Sequence, residues 1–426
     1  MVIVFFKDSN SSVYDKGSLI FTSEILKTQH YRSLYLKVVL EFFTLAEIVK
    51  TPSMRHLIIF FGSILFTVTS LAQEAYQFTD VIDLEATPVI SQGITGTCWS
   101  FSSTSFLESE IIRLTGKQVD LSEMYTVRNT YPEKLDNYVM RQGKAQFSEG
   151  GLAHDVINSV ASYGLVPQEA YSGLFAQETS HNHAELVAVL KSMAQTYVDN
   201  PGRKLSKKWR PATEAVLDIY LGQSVDNFTY EGKSYTPESF RKAMKIVPED
   251  YITLTSFTHA PYYESFVLNI PDNWSYGAMY NTPLNELMAA VDNALEKGFS
   301  VELDCDVSEA TFSSKNGVAV IPDDSVNNED ALTAIYPEKK VTQEYRQDEF
   351  ENFTTTDDHL MHITGTIKDQ NGNTYYKVKN SWGTDEKRNA NGGYVYFSEA
   401  YMRLKTISVT LHKDAVPNAT ARKMDL

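Results

Sequence analysis

The stretch that most constrains the fold runs from Ser91 to Leu114. It begins as a loop punctuated by Gly93 and Gly96, then passes through Thr97-Cys98-Trp99-Ser100-Phe101 into a segment whose Phe106, Leu107, Ile111 and Leu114 recur at helical spacing. Ser102, Ser103 and Ser105 are small enough to let another element approach that helix closely, and Thr115-Gly116-Lys117 supplies its stop. Cys98, one of two cysteines in 426 residues, stands at the helix start. The thiolate is the nucleophilic form, and the partial positive charge of a helix N-terminus lowers a thiol's pKa, so a cysteine here gains reactivity. The opposing reading is an inert buried thiol, the usual state of a free cysteine. Gln92, six residues upstream, is placed to direct its side-chain amide beside the sulfur, where it and the Cys98 N–H would stabilise an oxyanion.

Length and 42% hydrophobic content allow one large or two medium domains. A formal net charge of −16 argues against binding a phosphate backbone, so nucleic acid is excluded as a partner. Met54-Arg55-His56, the apolar run Leu57 to Val68 and the small-residue site ending at Ala72 have the pattern of a signal peptide over residues 54–72. The alternative is an uncleaved anchor, for which the run is short. Residues 1–53 show no export pattern of their own, and the expectation is that translation begins at Met54. The mature chain, residues 73–426, is then exported: periplasmic, secreted or envelope-associated.

Asp120-Leu121-Ser122-Glu123-Met124 reads as the start of a second helix. Ser148-Glu149-Gly150-Gly151-Leu152 is a loop whose paired glycines permit close backbone approach by a ligand, although a simple turn explains it as well. A helix follows over Ala153 to Tyr163 and ends at Gly164. Residues from about 175 to 345 are helix-rich, with a further helix opening at Thr282-Pro283 and closing at Gly298. After it, Val301-Glu302-Leu303-Asp304-Cys305-Asp306-Val307 alternates like a strand, and Cys305 reads as structural. No CxxC, HExxH or other zinc spacing occurs, and no metal or organic cofactor is implied.

Near the C-terminus, Asp358-His359-Leu360-Met361-His362-Ile363-Thr364-Gly365 is extended, Asp369 to Asn373 supplies a turn, and Tyr375 to Lys379 returns into Asn380-Ser381-Trp382-Gly383. Such a hairpin brings a histidine beside Asn380. Alternation puts His359 and His362 on opposite faces, so only one can serve as a base. Asn380 would accept from the imidazole and orient it, and Trp382 would shield that bond from water.

Taken together, Gln92-Gly93, Gly96 to Phe101, Leu121-Ser122-Glu123, Gly150-Gly151, Asp358-His359 and Asn380 to Gly383 resemble papain-like cysteine peptidases across nearly the whole mature chain. His359-Leu360-Met361 with Thr364-Gly365, Cys305-Asp306-Val307, and the long insertion before the histidine are most similar to the bleomycin hydrolase and aminopeptidase C branch. The resemblance implies an α+β, two-lobed fold with a helical half, a sheet-rich half and a helical insertion, about 175–345, on the sheet-rich half. It implies Cys98 as nucleophile, His359 as base and acid, Asn380 as orienting residue and Gln92 as oxyanion donor, with Gly150, Gly151 and Trp382 meeting a peptide substrate. Turn symmetry alone slightly favours His362; the family spacing to Thr364-Gly365 selects His359. Thr95 stands where many secreted papain-like enzymes carry a disulfide cysteine, in keeping with the disulfide-free branch. The branch further implies aminopeptidase action enforced by a C-terminal arm in the cleft, and a homohexamer. This chain's tail, Lys413 to Leu426, differs from such an arm, which keeps open an exported endopeptidase, or a catalytically silent binding protein of the same fold.

Overall fold

The computed structural model describes residues 75–426, apart from 176, 201 and 203. The expected export signal and upstream extension lie outside the described residues. The first long helix, α1, spans Cys98–Thr115 and ends where Gly116 turns left-handed at φ 71°, its N–H closing on Ile112 O. Every residue from Cys98 to Ile111 is buried, which explains why serines occupy so much of its surface. Ser100 Oγ donates to Glu123 O, and Ser105 Oγ lies 3.0 Å from His362 Nδ1, so neighbours approach the helix on more than one side. Helix α2, Glu123–Met140, begins three residues after the expected Asp120, because Ser122 is its cap and accepts from Tyr125 N. Helix α3 spans Ala153–Tyr163, as its apolar pattern predicts, and buries Val156 and Val160.

Beyond α3 the chain departs from the expected helical insertion. Helices α4, Ala184–Asp199, and α5, Trp209–Leu221, bury Leu186, Leu190, Ala194, Trp209, Leu217 and Leu221 in the core shared with α1 and α2. They therefore enlarge the helical half and not the sheet-rich half, because their apolar faces are complementary to α2. The same stretch also returns to the sheet. It contains strands Tyr251–Thr255 and Val301–Cys305, with helix α6, Leu284–Glu296, between them.

Eleven strands form one sheet among the described residues. The strands that matter for the site are β1, Phe78–Asp83; β2, Tyr251–Thr255; β3, Val301–Cys305; β4, His359–Asp369; β5, Thr374–Lys379; β6, Tyr394–Ser398; and β7, Thr406–His412. Their order is β2-β7-β3-β4-β5-β6, and β1 adds to β4 as well. Strand β4 divides two hydrophobic cores. Leu360 faces the helical core around α1, while Met361 and Ile363 join the core under α6. Strand β3 is divided the same way: Val301, Leu303 and Cys305 enter the second core, and Glu302 reaches back to Ser102 of α1. Cys305 is a free, buried thiol whose nearest polar partner is the His359 carbonyl, as a structural cysteine requires. The last helix, α7, Asn418–Lys423, docks on α6, with Thr420 and Lys423 bonded to Glu286 and Met424 buried in the second core.

Candidate active site

The β4–β5 hairpin does what its turn chemistry predicts. Asp369 Oδ1 accepts from Asn371 N and Asn373 N, closing the turn and carrying Asn380 back beside His359. His359 Nε2 lies 2.9 Å from Asn380 Oδ1. The Trp382 ring packs over the imidazole at 4.8 Å between centroids, inclined 36°, and seals this bond on its outer side. His362, the other candidate, pairs with Lys379 across the ladder and faces Ser105 and Phe106 inside the helical core. Strand alternation thus separates the two histidines, and Asn380 is the partner of His359.

Cys98 opens α1 against the start of β4. The backbone N–H groups of Leu360 and Trp99 lie close enough to its sulfur to favour the thiolate. The thiol and imidazole therefore share one end of β4, although the structure joins them through Leu360 and not by a direct hydrogen bond. The expectation that the helix start lowers the thiol pKa is reversed by burial. Loss of water pushes Cys98 up to about 12, with the negative charges of Asp272 and Asp357 adding to the effect. Burial also pushes His359 down to about 4, partly opposed by the bond to Asn380. Each group alone is thus neutral near pH 7. Proton transfer from sulfur to imidazole would create a buried ion pair whose mutual attraction opposes both desolvation costs.

Gln92 is fastened to the asparagine segment: its N–H donates to Ser381 O at 2.8 Å, and its Oε1 accepts from Ser381 Oγ at 2.5 Å. Its Nε2 donates to Thr95 O at 2.7 Å, which leaves one of the two amide N–H groups for an oxyanion. Thr95, in place of a disulfide cysteine, bonds His183 Nδ1 at 2.9 Å and ties this loop to the chain entering α4. The second loop is stapled to the first, since Trp99 Nε1 donates to Glu149 O, Gly96 N to the Glu149 carboxylate, and Lys134 Nζ to the carbonyls of Ser148 and Gly150. A Cβ on Gly151 would stand 3.1 Å from the Trp99 ring, and one on Gly150 would stand 1.9 Å from Asp272 Oδ2. The space a Cβ on Gly150 would need is thus filled by the carboxylate of Asp272, which no sequence motif marks. Asp272, Asp357 and Asp304 are the site residues that sequence reasoning missed. Only the proximity of Asp357 to His359, and the alternation that places Asp304 opposite Leu360, carry any trace of them.

A nucleophile-bearing helix set against a strand with a histidine–asparagine pair defines the papain-like class of thiol peptidases. The family model described as Peptidase C1-like family matches residues 63–426, and the chain belongs to that family. It is a cysteine-type peptidase. Aminopeptidase C of Listeria innocua is 22% identical over 367 residues, covering 76% of this chain and 80% of its own. Mitochondrial cysteine proteinase 1 of Saccharomyces cerevisiae is 23% identical over 404 residues, covering 82% of this chain and 80% of its own. The fold is similar to the crystal structure of PepW from Lactobacillus rhamnosis HN001, with a TM-score of 0.66, 18% identity and coverage of 93% and 95% of the two chains.

Proposed function

We propose that the protein is an exported aminopeptidase that cleaves peptides through a thioester acyl-enzyme. Cys98 attacks the scissile carbonyl while its proton passes to His359, and His359 then protonates the leaving amine and activates water. Asn380 holds the imidazole through Nε2 and stabilises its charged form; the free N–H of Gln92 and the Cys98 N–H take the oxyanion. The single observation that carries this reading is the shielded 2.9 Å bond from His359 to Asn380, formed at the end of β4 where the Cys98 sulfur meets the Leu360 N–H. Relatives that include an aminopeptidase C and an aminopeptidase G favour removal of N-terminal residues.

One observation favours the endopeptidase reading instead: the last helix of the tail makes its polar contacts through Thr420 and Lys423 with Glu286 and Tyr263, on and beside α6. The test compares kcat/KM for peptides with a free α-amine against their N-acetylated counterparts, using Cys98→Ala as the inactive control. A strong preference for the free amine supports aminopeptidase action, equal turnover rejects it while keeping the peptidase, and activity surviving in Cys98→Ala rejects both. Export through residues 54–72 and assembly into a homohexamer belong to the same proposal. N-terminal sequencing of the native protein tests the first, with a start at Gln73 expected, and sedimentation tests the second.

A further inference from the structure

We infer that Asp272, Asp357 and Asp304 form an anionic subsite beside Cys98 that receives an ammonium group of the peptide substrate, and that the α-amino terminus is the group it takes. This rests on the peptidase reading above. Asp272 covers Gly150, its Oδ1 accepts from Gln146 Nε2 at 2.9 Å, and its backbone N–H donates to Asp357 Oδ2 at 3.3 Å. Asp304 lies opposite Leu360 in the β3–β4 ladder, and the Leu360 N–H faces the Cys98 sulfur. Asp272 and Asp357 therefore bring their charge to the nucleophile from two segments, and Asp304 joins them from a third through Asp357.

Asp304 and Asp357 form a carboxyl pair that an ammonium group beside it would ionise. Asp304 is only 1% exposed, yet no donor from elsewhere in the chain reaches its Oδ1 or Asp357 Oδ1, and the two carboxyls bond each other. Burying such oxygens costs free energy unless a donor reaches them. The nearby cations are engaged elsewhere. Lys134 is held by the Ser148 and Gly150 carbonyls and shares its charge among Asp272, Asp155 and Glu149, while Lys405 pairs with Asp306 and Glu309. Asp304 and Asp357, each held well above the ordinary carboxylate range by burial and by neighbouring carboxylates, have no cation of their own. Asp357, alone of the three, also lines a cavity of about 430 Å³ walled by Leu268, Ile270, Pro271, Phe350 and Phe353, where Glu351 is a second carboxylate.

Negative charge beside a nucleophilic thiol works against the thiolate, and a substrate that brings its own ammonium cancels that charge as it binds. Occupancy of the subsite and activation of Cys98 are thereby coupled, and a peptide without the ammonium is both weakly held and poorly attacked.

The experiment measures kcat/KM of the full chain, Asp272→Asn and Asp357→Asn, with Cys98 titrated by a thiol reagent to count folded active sites. Three substrates are compared: a short peptide with a free α-amine, its N-acetylated form, and an N-acetylated form with lysine second before the scissile bond. The expected result is that each variant loses about 10- to 100-fold on the free-amine peptide, as for a lost charge-assisted hydrogen bond, with a much smaller loss on the neutral one. Wild-type preference for the acetyl-lysyl peptide over the free amine overturns the assignment to the α-amine, and transfers the subsite to a side-chain ammonium if the variants erase that preference. Turnover by wild type with no preference for any ammonium, or a preference that both variants keep, overturns the subsite while leaving the peptidase intact. Absence of turnover on all three substrates sinks the peptidase reading itself.

Discussion

Replacing Asn380 by alanine removes the acceptor that fixes His359, and its effect can be worked from the contacts present. Asn380 Oδ1 takes two donors, His359 Nε2 at 2.9 Å and Ser381 N at 2.7 Å, while its Nδ2 is unpartnered. The alanine variant leaves a buried imidazole N–H without an acceptor and removes the bond that strengthens when the ring is charged. A hydrogen bond to a charged group contributes about 1.5–3 kcal/mol, so kcat/KM falls by about 10- to 150-fold. The loss falls mainly on kcat, since the bond matters most once the proton has moved. Asn380→Asp keeps the acceptor and adds a negative charge, so it recovers part of the rate and moves the histidine pKa upward. The assay is steady-state kinetics on one peptide substrate across a pH series, with thermal unfolding run in parallel to establish that the variants fold. A fall of less than twofold in a folded Asn380→Ala protein would refute the reasoning.

Two further predictions follow from burial. Glu108, inside the helical half, is raised from 4.5 to about 7 by desolvation, against the opposing pull of its bonds to Thr87 and Leu121 and of Lys379. Its carboxyl holds a proton in the folded chain at pH values where the unfolded chain has lost it, so stability declines as pH rises from about 4.5 to about 7, by up to about 3 kcal/mol. Thermal unfolding between pH 5 and 8 should give a falling Tm that is flatter in Glu108→Gln; a Tm that rises over this range contradicts the assignment. Trp382 is 39% exposed but covers the His359–Asn380 bond, so Trp382→Ala should lower kcat/KM about tenfold by admitting water, with little change in Tm. A large loss of Tm with kcat/KM retained would make the ring a packing residue instead.

Much of this site is legible in the sequence because its parts are set by local rules. Gly116 and Gly164 end helices where left-handed or unusual backbone is needed, and Asp369 closes the turn that carries Asn380 to His359. The choice between His359 and His362 is less legible, because a bulge between Ile363 and Gly365 shifts the register on which turn symmetry depends. The place of the insertion is hidden for a different reason: the apolar faces of α4 and α5 are plain in the sequence, but which half they cover depends on complementarity with α2. Least legible are the carboxylates. Asp272, Asp304 and Asp357 come from separate segments, and only the sheet register and the approach of Asp272 to Gly150 bring them together. The thiol's resting state is likewise hidden, because a helix terminus is visible in sequence and the depth of burial that outweighs it is not.

The most direct test of Cys98 acting with His359 is to trap the acyl-enzyme from a slowly hydrolysed ester substrate and map the added mass by peptide mass spectrometry. The account predicts one acyl group per chain, on the peptide containing Cys98, with Cys305 unmodified, and no such adduct in His359→Ala over the same interval. An adduct on Cys305, or acylation of Cys98 at an unchanged rate without His359, would contradict it.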